Sequence, residues 1–193
     1  ELGICFCFAP LLHAAMRRVA PVRQRRGVPT IFNILGPLAN PAGAAFQLLG
    51  VGTGKLRPLM AEALAMLGTA RAVVVHGEDG LDEVTLSGTT YATEAAGGQF
   101  RQLQWSPADF GLEPSPVDCL RVDGPDQSAA MIRGVLEGRR GPARDIVIAN
   151  AAAALWTAGR ADGLLHGAQA AAEAIDRGAA KDLLARLTAH SNR

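Results

Sequence analysis

The sequence has no excess of charge of either sign. Its 193 residues include 19 Lys and Arg against 18 Asp and Glu, so the formal net charge is only +1. A dedicated nucleic-acid-binding domain or a polybasic membrane module needs a basic excess, so this balance argues against both classes. Long hydrophobic runs are also missing, and a membrane-spanning helix needs about 20 consecutive apolar residues. We therefore expect no membrane span.

Cysteine is scarce as well. Cys5, Cys7 and Cys119 are an odd number and do not have the spacing of a disulfide framework, which favours a reducing compartment and hence the cytoplasm. Cys5 and Cys7 lack the second pair that a structural zinc site requires, so we interpret them as small buried hydrophobic side chains. The sequence starts at Glu1 rather than at methionine, which predicts that it was cut from a longer protein. Its first residues lack the basic segment and cleavage site of a signal peptide.

The composition is typical of a folded domain, since 49% of the residues are hydrophobic and 19% are charged. No repeat, linker or low-complexity tract interrupts it, so we predict a single α/β domain over residues 1–193. Residues 46–51 have the pattern of a buried strand. Apolar residues then recur at helical spacing from Leu56 to Leu67, and residues 72–76 form a β-branched run. Strand, helix and strand in this order predict a parallel pair.

The remaining pattern adds helices, one more strand and a hairpin around Gly97 and Gly98. The predicted helices are 127–136, 150–158, 163–175 and 179–189; the predicted strands are 145–149 and, in the hairpin, 89–94 and 99–105. The predicted fold class is therefore α/β, with a mixed, mainly parallel sheet flanked by helices.

A glycine cluster at residues 50–54, followed by Lys55, suggests a nucleotide-binding loop, because glycine-rich turns at helix starts can cradle phosphate. The templates do not fit. A P-loop requires glycine and Ser or Thr where Leu49 and Leu56 stand, and the dinucleotide fingerprint requires glycine in place of Lys55. We favour a structural turn between strand and helix.

Four carboxylates follow the predicted strand 72–76 directly: Glu78, Asp79, Asp82 and Glu83. In open α/β sheets, ligands bind at the carboxyl ends of strands. Adjacent carboxylates suit a hard cation such as Mg²⁺ that is shared with substrate phosphates. A solvated acidic turn explains the same residues equally well.

Five arginines lie between Arg17 and Arg26, an arrangement suited to carboxylate or phosphate but also typical of a basic helix face. Residues 30–41 are apolar but contain two prolines and a glycine, so they are predicted to form neither a regular helix nor a central strand. This segment is interpreted as a pocket wall or a packing connector.

Together these motifs resemble a known family. The motifs are residues 8–10, 13–23, 30–41 and 76–83, then 109–112, 141–145 and 150–155. They are similar to anthranilate phosphoribosyltransferase of tryptophan biosynthesis, and the similarity spans nearly the whole chain. The resemblance implies part of the α/β domain of a homodimeric enzyme that joins phosphoribosyl pyrophosphate to the amine of anthranilate.

The resemblance also implies roles for individual residues. Arg23 would contact the anthranilate carboxylate, and His13 and Gly36 would line the anthranilate route. Asp82 and Glu83 would hold Mg²⁺ against the diphosphate. No side chain is implied as a catalytic nucleophile, because the amine of anthranilate is itself nucleophilic and positioning supplies much of the rate.

Three departures and two alternatives accompany this interpretation. Ala14 stands where the family often has proline, and residues 124–129 depart from its pattern. The family's phosphate loop is not matched in the chain, so the 193 residues alone are expected to be inactive. The alternatives are a nucleic-acid-binding relative of the same fold, suggested by the arginines, and a pyrimidine nucleoside phosphorylase.

Overall fold

The structure is a computed structural model that describes residues 1–7, 25 and 32–191. The chain divides into two compact units, residues 1–44 and 45–193. The prediction of a single domain stays a prediction. In the first unit, Cys5 and Cys7 are exposed rather than buried, since their segment has no regular secondary structure and leaves its side chains in solvent. Their Sγ atoms lie 3.8 Å apart.

The first unit contains a short helix, α1 (Phe32–Leu38), which includes Gly36 and Pro37. The prediction that residues 30–41 form no regular helix is therefore wrong over this stretch. The helix has only seven residues and Pro37 lies in its last turn, so the missing N–H removes a single bond close to where the helix ends. The N–H of Ala39 closes the last turn on the carbonyls of Leu35 and Gly36, at 3.1 Å each.

The second unit contains four strands, five α-helices and two short 3₁₀ turns in the described residues. In chain order they are β1 (Phe46–Gly50), α2 (Leu56–Met66), β2 (Arg71–Gly77), β3 (Thr90–Ala96), β4 (Gln99–Trp105), the 3₁₀ turns Pro107–Phe110 and Val117–Leu120, α3 (Pro125–Leu136), α4 (Pro142–Thr157), α5 (Leu164–Asp176) and α6 (Ala179–Ser191). The predicted βαβ unit, the hairpin and the helices that correspond to α3, α5 and α6 are confirmed.

The strands form one sheet in the order β1-β2-β3-β4. β1 pairs with β2 in parallel, with Leu48 opposite Val73. The β2–β3 and β3–β4 pairs are antiparallel. The sheet is mixed, as predicted, but in the described residues one pairing is parallel and two are antiparallel. β2 is central and β-branched, so its valines are fully buried.

The predicted strand 145–149 is wrong, because these residues lie inside α4. Pro142 begins this helix, and a proline in the first turn is already set to the helical φ. The alanines that follow are the strongest helix formers, so the helix continues through the β-branched triplet. Ile146 and Ile148 both pack in the core, whereas Val147 between them is 45% exposed.

The core lies between the sheet and α4 with α5. The Trp105 ring meets the rings of Phe110 and Trp156 edge to face, at centroid distances of 6.1 and 5.6 Å. α4 and α5 approach closely: a Cβ on Gly167 would lie 2.9 Å from the carbonyl oxygen of Ala152. Among the residues that the structure describes, no helix combines the length and apolar character needed to cross a bilayer.

An ion cluster around the buried Glu94 connects the sheet to the end of α4. The Glu94 carboxylate, 4% exposed, accepts a hydrogen bond from Nε of Arg71 at 2.7 Å and one from Nε of Arg101 at 2.7 Å. The Arg71 guanidinium also lies 4.0 Å from the ring centroid of Trp156 and donates to the carbonyl of that residue at 2.7 Å. The Glu94 carboxylate therefore links β2, β3 and β4, and Arg71 extends the link to α4.

Candidate functional site

The acidic turn, residues 78–83, follows β2 directly and is shaped by backbone hydrogen bonds. Gly77 N–H donates to the carbonyl of Leu81 at 2.8 Å, and Gly80 N–H donates to that of Gly77 at 2.9 Å. Gly80 has a φ of +90°, a conformation that glycine adopts without strain. Glu78 N–H reaches the carbonyl of Thr89 at 2.8 Å, which fastens the turn to the start of β3.

Two of the four carboxylates support the turn itself. Asp79 accepts hydrogen bonds from the hydroxyls of Thr85 and Ser87 at 2.6 and 2.5 Å and from the N–H of Leu81 at 3.1 Å. Burial raises the pKa of Asp79, but the bonds from Ser87, Thr85 and Leu81 outweigh it, and the pKa lies below its ordinary value. Glu78 accepts a bond from the N–H of Thr89 at 3.0 Å. These two acids are structural.

The other two carboxylates, Asp82 and Glu83, are exposed side by side. Within residues 1–7, 25 and 32–191, no hydrogen bond or ion pair engages either side chain. Partial burial raises the pKa of Glu83, and the neighbouring charge of Asp82 raises it further. Two adjacent carboxylates that repel each other and have no partner on the protein gain from a cation held between them.

The backbone of Asp82 is held against the end of β1. A Cβ on Gly50 would lie 1.5 Å from the carbonyl oxygen of Asp82, so only glycine permits this contact. The next residues turn into α2: the His76 ring bonds through Nδ1 to the carbonyl of Val51 at 2.8 Å and lies against Gly54. The glycine cluster is thus a strand-to-helix turn, as predicted, and its first member positions the acidic turn.

On the other side, Asn150 of α4 binds the residue that follows Glu83. Its Oδ1 accepts from Val84 N–H at 2.9 Å, and its Nδ2 donates to the carbonyl of Val84 at 3.0 Å. Sequence reasoning missed Asn150, because its partner is distant in the chain. The available signal was an amide side chain within a run of alanines, an unfavourable position unless the amide finds a partner.

The donor set decides which metal could fit. In the part of the chain that the structure describes, no three or more His, Cys, Asp and Glu side chains are grouped to hold an ion. A structural zinc site needs four protein ligands. Mg²⁺ commonly uses one or two carboxylates and takes its other oxygens from water and substrate phosphates. Asp82 and Glu83 fit this second pattern.

An apolar cavity of about 460 Å³ lies beside the acidic turn. Its walls come from Leu81 and Glu83 and from apolar side chains of α3, α4 and the second 3₁₀ turn, such as Leu120, Val135 and Ile146. This apolar wall explains why the Glu83 carboxyl is partly desolvated although its side chain is exposed.

The structure describes three of the five predicted site residues. Asp82 and Glu83, which are neighbours in the sequence, are both exposed in the second unit, and Gly36 lies half-buried in α1 of the first. His13 and Arg23 lie outside the described residues. Their assigned roles, like the metal role of the acidic pair, stay predictions.

Comparison with known proteins supplies the family context. Residues 1–181 match the family described as "Glycosyl transferase family, a/b domain". The anthranilate phosphoribosyltransferase of Rhodospirillum rubrum is 52% identical over 189 residues, which are 98% of this chain and 54% of that protein. That of Nitrosomonas eutropha is 48% identical over 192 residues, 100% of this chain and 56% of the relative. The chain spans about half the length of these relatives.

Solved structures agree. The crystal structure of anthranilate phosphoribosyltransferase from Thermus thermophilus has a TM-score of 0.90 at 43% identity, over 98% of this chain and 56% of that one. The Saccharomyces cerevisiae enzyme in complex with PRPP and Mg has a TM-score of 0.87 at 30% identity, over 94% and 53% of the two chains. The resemblance that the sequence motifs predicted is confirmed.

Proposed function

We propose, from the premise that this chain belongs to the glycosyl transferase family through its a/b domain, that it forms part of an anthranilate phosphoribosyltransferase. Such an enzyme moves the phosphoribosyl group from phosphoribosyl pyrophosphate to the amine of anthranilate and releases pyrophosphate. The observation that carries the proposal is the Asp82–Glu83 pair, which has no described protein partner and follows a strand of the sheet. Relatives with 48% and 52% identity bear the name of this enzyme.

Asp82 and Glu83 would hold Mg²⁺ at the diphosphate of the substrate. When bound, the ion offsets the negative charge that develops on the departing diphosphate. The protein contributes orientation: the close contact at Gly50 and the amide of Asn150 fix the backbone on both sides of the pair, so the carboxylates need little reorganisation.

Arg23 would bind the anthranilate carboxylate through the paired N–H groups of its guanidinium, and His13 and Gly36 would line the path of the aromatic ring. Holding the amine in line with the ribosyl carbon turns an encounter of two substrates into a unimolecular step. We further propose a cytoplasmic homodimer. Light scattering of the purified complete gene product tests the oligomeric state.

The test follows the loss of anthranilate fluorescence with phosphoribosyl pyrophosphate and Mg²⁺, using the complete gene product. The double variant Asp82→Asn, Glu83→Gln is expected to lower kcat/KM by about 100-fold or more, because the ligands lose their charge. Glu78→Gln is the matched control: it removes a charge from the same turn, keeps an acceptor oxygen for Thr89, and should retain activity.

Wild-type turnover by the double variant would contradict the metal assignment. If the folded wild-type protein showed no transfer and bound duplex DNA with steep salt dependence, the nucleic-acid-binding alternative would replace this proposal. The relatives named above favour the enzyme.

A further inference from the structure

Asn150 is joined by three hydrogen bonds to the segment that ends the acidic turn and to its own helix. Besides the two bonds to the backbone of Val84, its Nδ2 donates to the carbonyl of Ile146 at 3.0 Å. We infer that Asn150 is a positioning residue for the metal-binding pair Asp82 and Glu83. The inference rests on the proposed function, because it concerns the same pair.

The amide of Asn150 acts on Val84 as a neighbouring strand would. It receives the N–H and supplies a donor to the C=O of the same residue, so both polar groups of a buried backbone segment are satisfied by one side chain. The side chain of Val84 is fully buried in the core. Val84 is thus fixed both through its side chain and through its backbone.

The orientation of Asn150 is determined by its own hydrogen bonds. A side-chain amide has two N–H donors, and here one goes to Val84 and the other to Ile146, one turn earlier in α4. A flipped amide would place its NH₂ group against the N–H of Val84 and its oxygen against the carbonyl oxygens of Val84 and Ile146, so only the observed orientation makes these bonds. The amide is therefore held at one position relative to the helix axis.

The pair consequently has a neighbour on each side. The carbonyl of Asp82 packs against Gly50 at the end of β1, and Asn150 is hydrogen-bonded to the residue after Glu83. The two side chains extend from a dipeptide that lies between these two contacts. Partners that hold metal ligands in place typically account for about 10- to 100-fold in metal affinity or activity.

The test uses Asn150→Ala in the complete gene product. The Mg²⁺ concentration for half-maximal velocity is expected to rise by about 10- to 100-fold, and velocity should recover as Mg²⁺ is raised. Mn²⁺ binding, measured without substrates by electron paramagnetic resonance, should weaken in parallel. Because a metal that binds the folded state also stabilises it, the folded fraction is measured by circular dichroism at each Mg²⁺ concentration, and recovery at a constant folded fraction supports positioning. Recovery that only follows the folded fraction would overturn the inference.

Thr157→Val is the matched control. Thr157 lies on α4 as well, is buried, and its hydroxyl donates to the carbonyl of Ala153 at 2.7 Å. The substitution should lower the melting temperature but leave the Mg²⁺ requirement unchanged. If Asn150→Ala does not fold, Asn150→Gln carries the test, because it keeps the amide but displaces it by one methylene and should raise the Mg²⁺ requirement in the same direction.

Asp82→Asn separates the two possible failures. If Asp82→Asn keeps wild-type Mn²⁺ affinity, the metal assignment fails and this inference fails with it. If Asp82→Asn weakens Mn²⁺ binding while the folded Asn150 variant binds it like wild type, only the inference is overturned.

Discussion

Replacing Gly50 by alanine is expected to destabilise the protein and displace the acidic turn. The new Cβ would lie 1.5 Å from the carbonyl oxygen and 2.5 Å from the carbonyl carbon of Asp82, whereas real Cβ contacts essentially never fall below 3.0 Å. Both atoms belong to backbone, so no side-chain rotation relieves the clash. Extra atoms in a well-packed site usually lower the free energy of unfolding by up to about 3 kcal/mol, and we expect Gly50→Ala to lower it by at least that amount.

Two nearby glycines calibrate this effect. A Cβ on Gly52 meets no atom within 4 Å. Gly52→Ala should therefore be neutral or should stabilise the protein by about 0.4–1 kcal/mol, because alanine lowers the conformational entropy of the unfolded chain. A Cβ on Gly54 would lie 3.1 Å from Cδ2 of His76, a side chain with some freedom to shift, so Gly54→Ala should cost about 1 kcal/mol. From the most to the least stable variant, the predicted order is Gly52→Ala, Gly54→Ala and Gly50→Ala.

Urea unfolding followed by tryptophan fluorescence measures this order. The chain has only two tryptophans, and Trp105 and Trp156 meet in the core, so their emission follows the loss of this packing. The midpoint should fall for Gly50→Ala without a change in slope. Its Mg²⁺ requirement should also rise, because the backbone of Asp82 must move. A Gly50→Ala protein as stable as Gly52→Ala would refute the close contact and the argument built on it.

Two further predictions concern buried and hydrogen-bonded carboxylates. Glu94→Gln should lower the free energy of unfolding by about 1–3 kcal/mol, because the buried amide replaces a charge that pairs with two arginines, one of them largely exposed. Asp118→Asn, in an exposed ion pair, should cost less than about 1 kcal/mol. Equal urea midpoints would argue against the cluster. Since the pKa of Asp79 is lowered by folding, its contribution to stability is present above the unfolded pKa of about 3.9 and is lost as pH falls toward the folded pKa. Asp79→Asn should therefore reduce the loss of unfolding free energy that accompanies acidification, measured by urea unfolding at a series of pH values. An unchanged loss would contradict the hydrogen-bond network.

The elements that sequence predicted well are those encoded by neighbouring residues. The apolar spacing of residues 56–67 specifies α2, and Gly97-Gly98, both with positive φ, specifies the hairpin between β3 and β4. The acidic turn was located because β2 is a clear β-branched run and the acids follow it directly. In each case the deciding interactions lie within a few residues of one another.

The elements that sequence did not predict depend on distant contacts. The triplet at 146–148 has strand propensity, and only its continuity with the alanines and its packing on the sheet make it helical. The glycine of β1 was recognised as a turn residue, but its contact with Asp82 arises from the parallel pairing of β1 and β2. The metal-binding role predicted for the acidic pair came from the family motif, since the spacing of the pair suits a solvated turn equally well.

The bonds between Asn150 and Val84 close a segment of the chain, because the two residues are 66 positions apart. The hairpin, both 3₁₀ turns and α3 all lie between these two points. Changes of length within this segment, such as a longer hairpin loop at Gly97-Gly98, need not alter the distance between α4 and the acidic turn. The segment can therefore diverge by insertion and deletion, or accept an inserted reporter peptide, while its two ends stay in register.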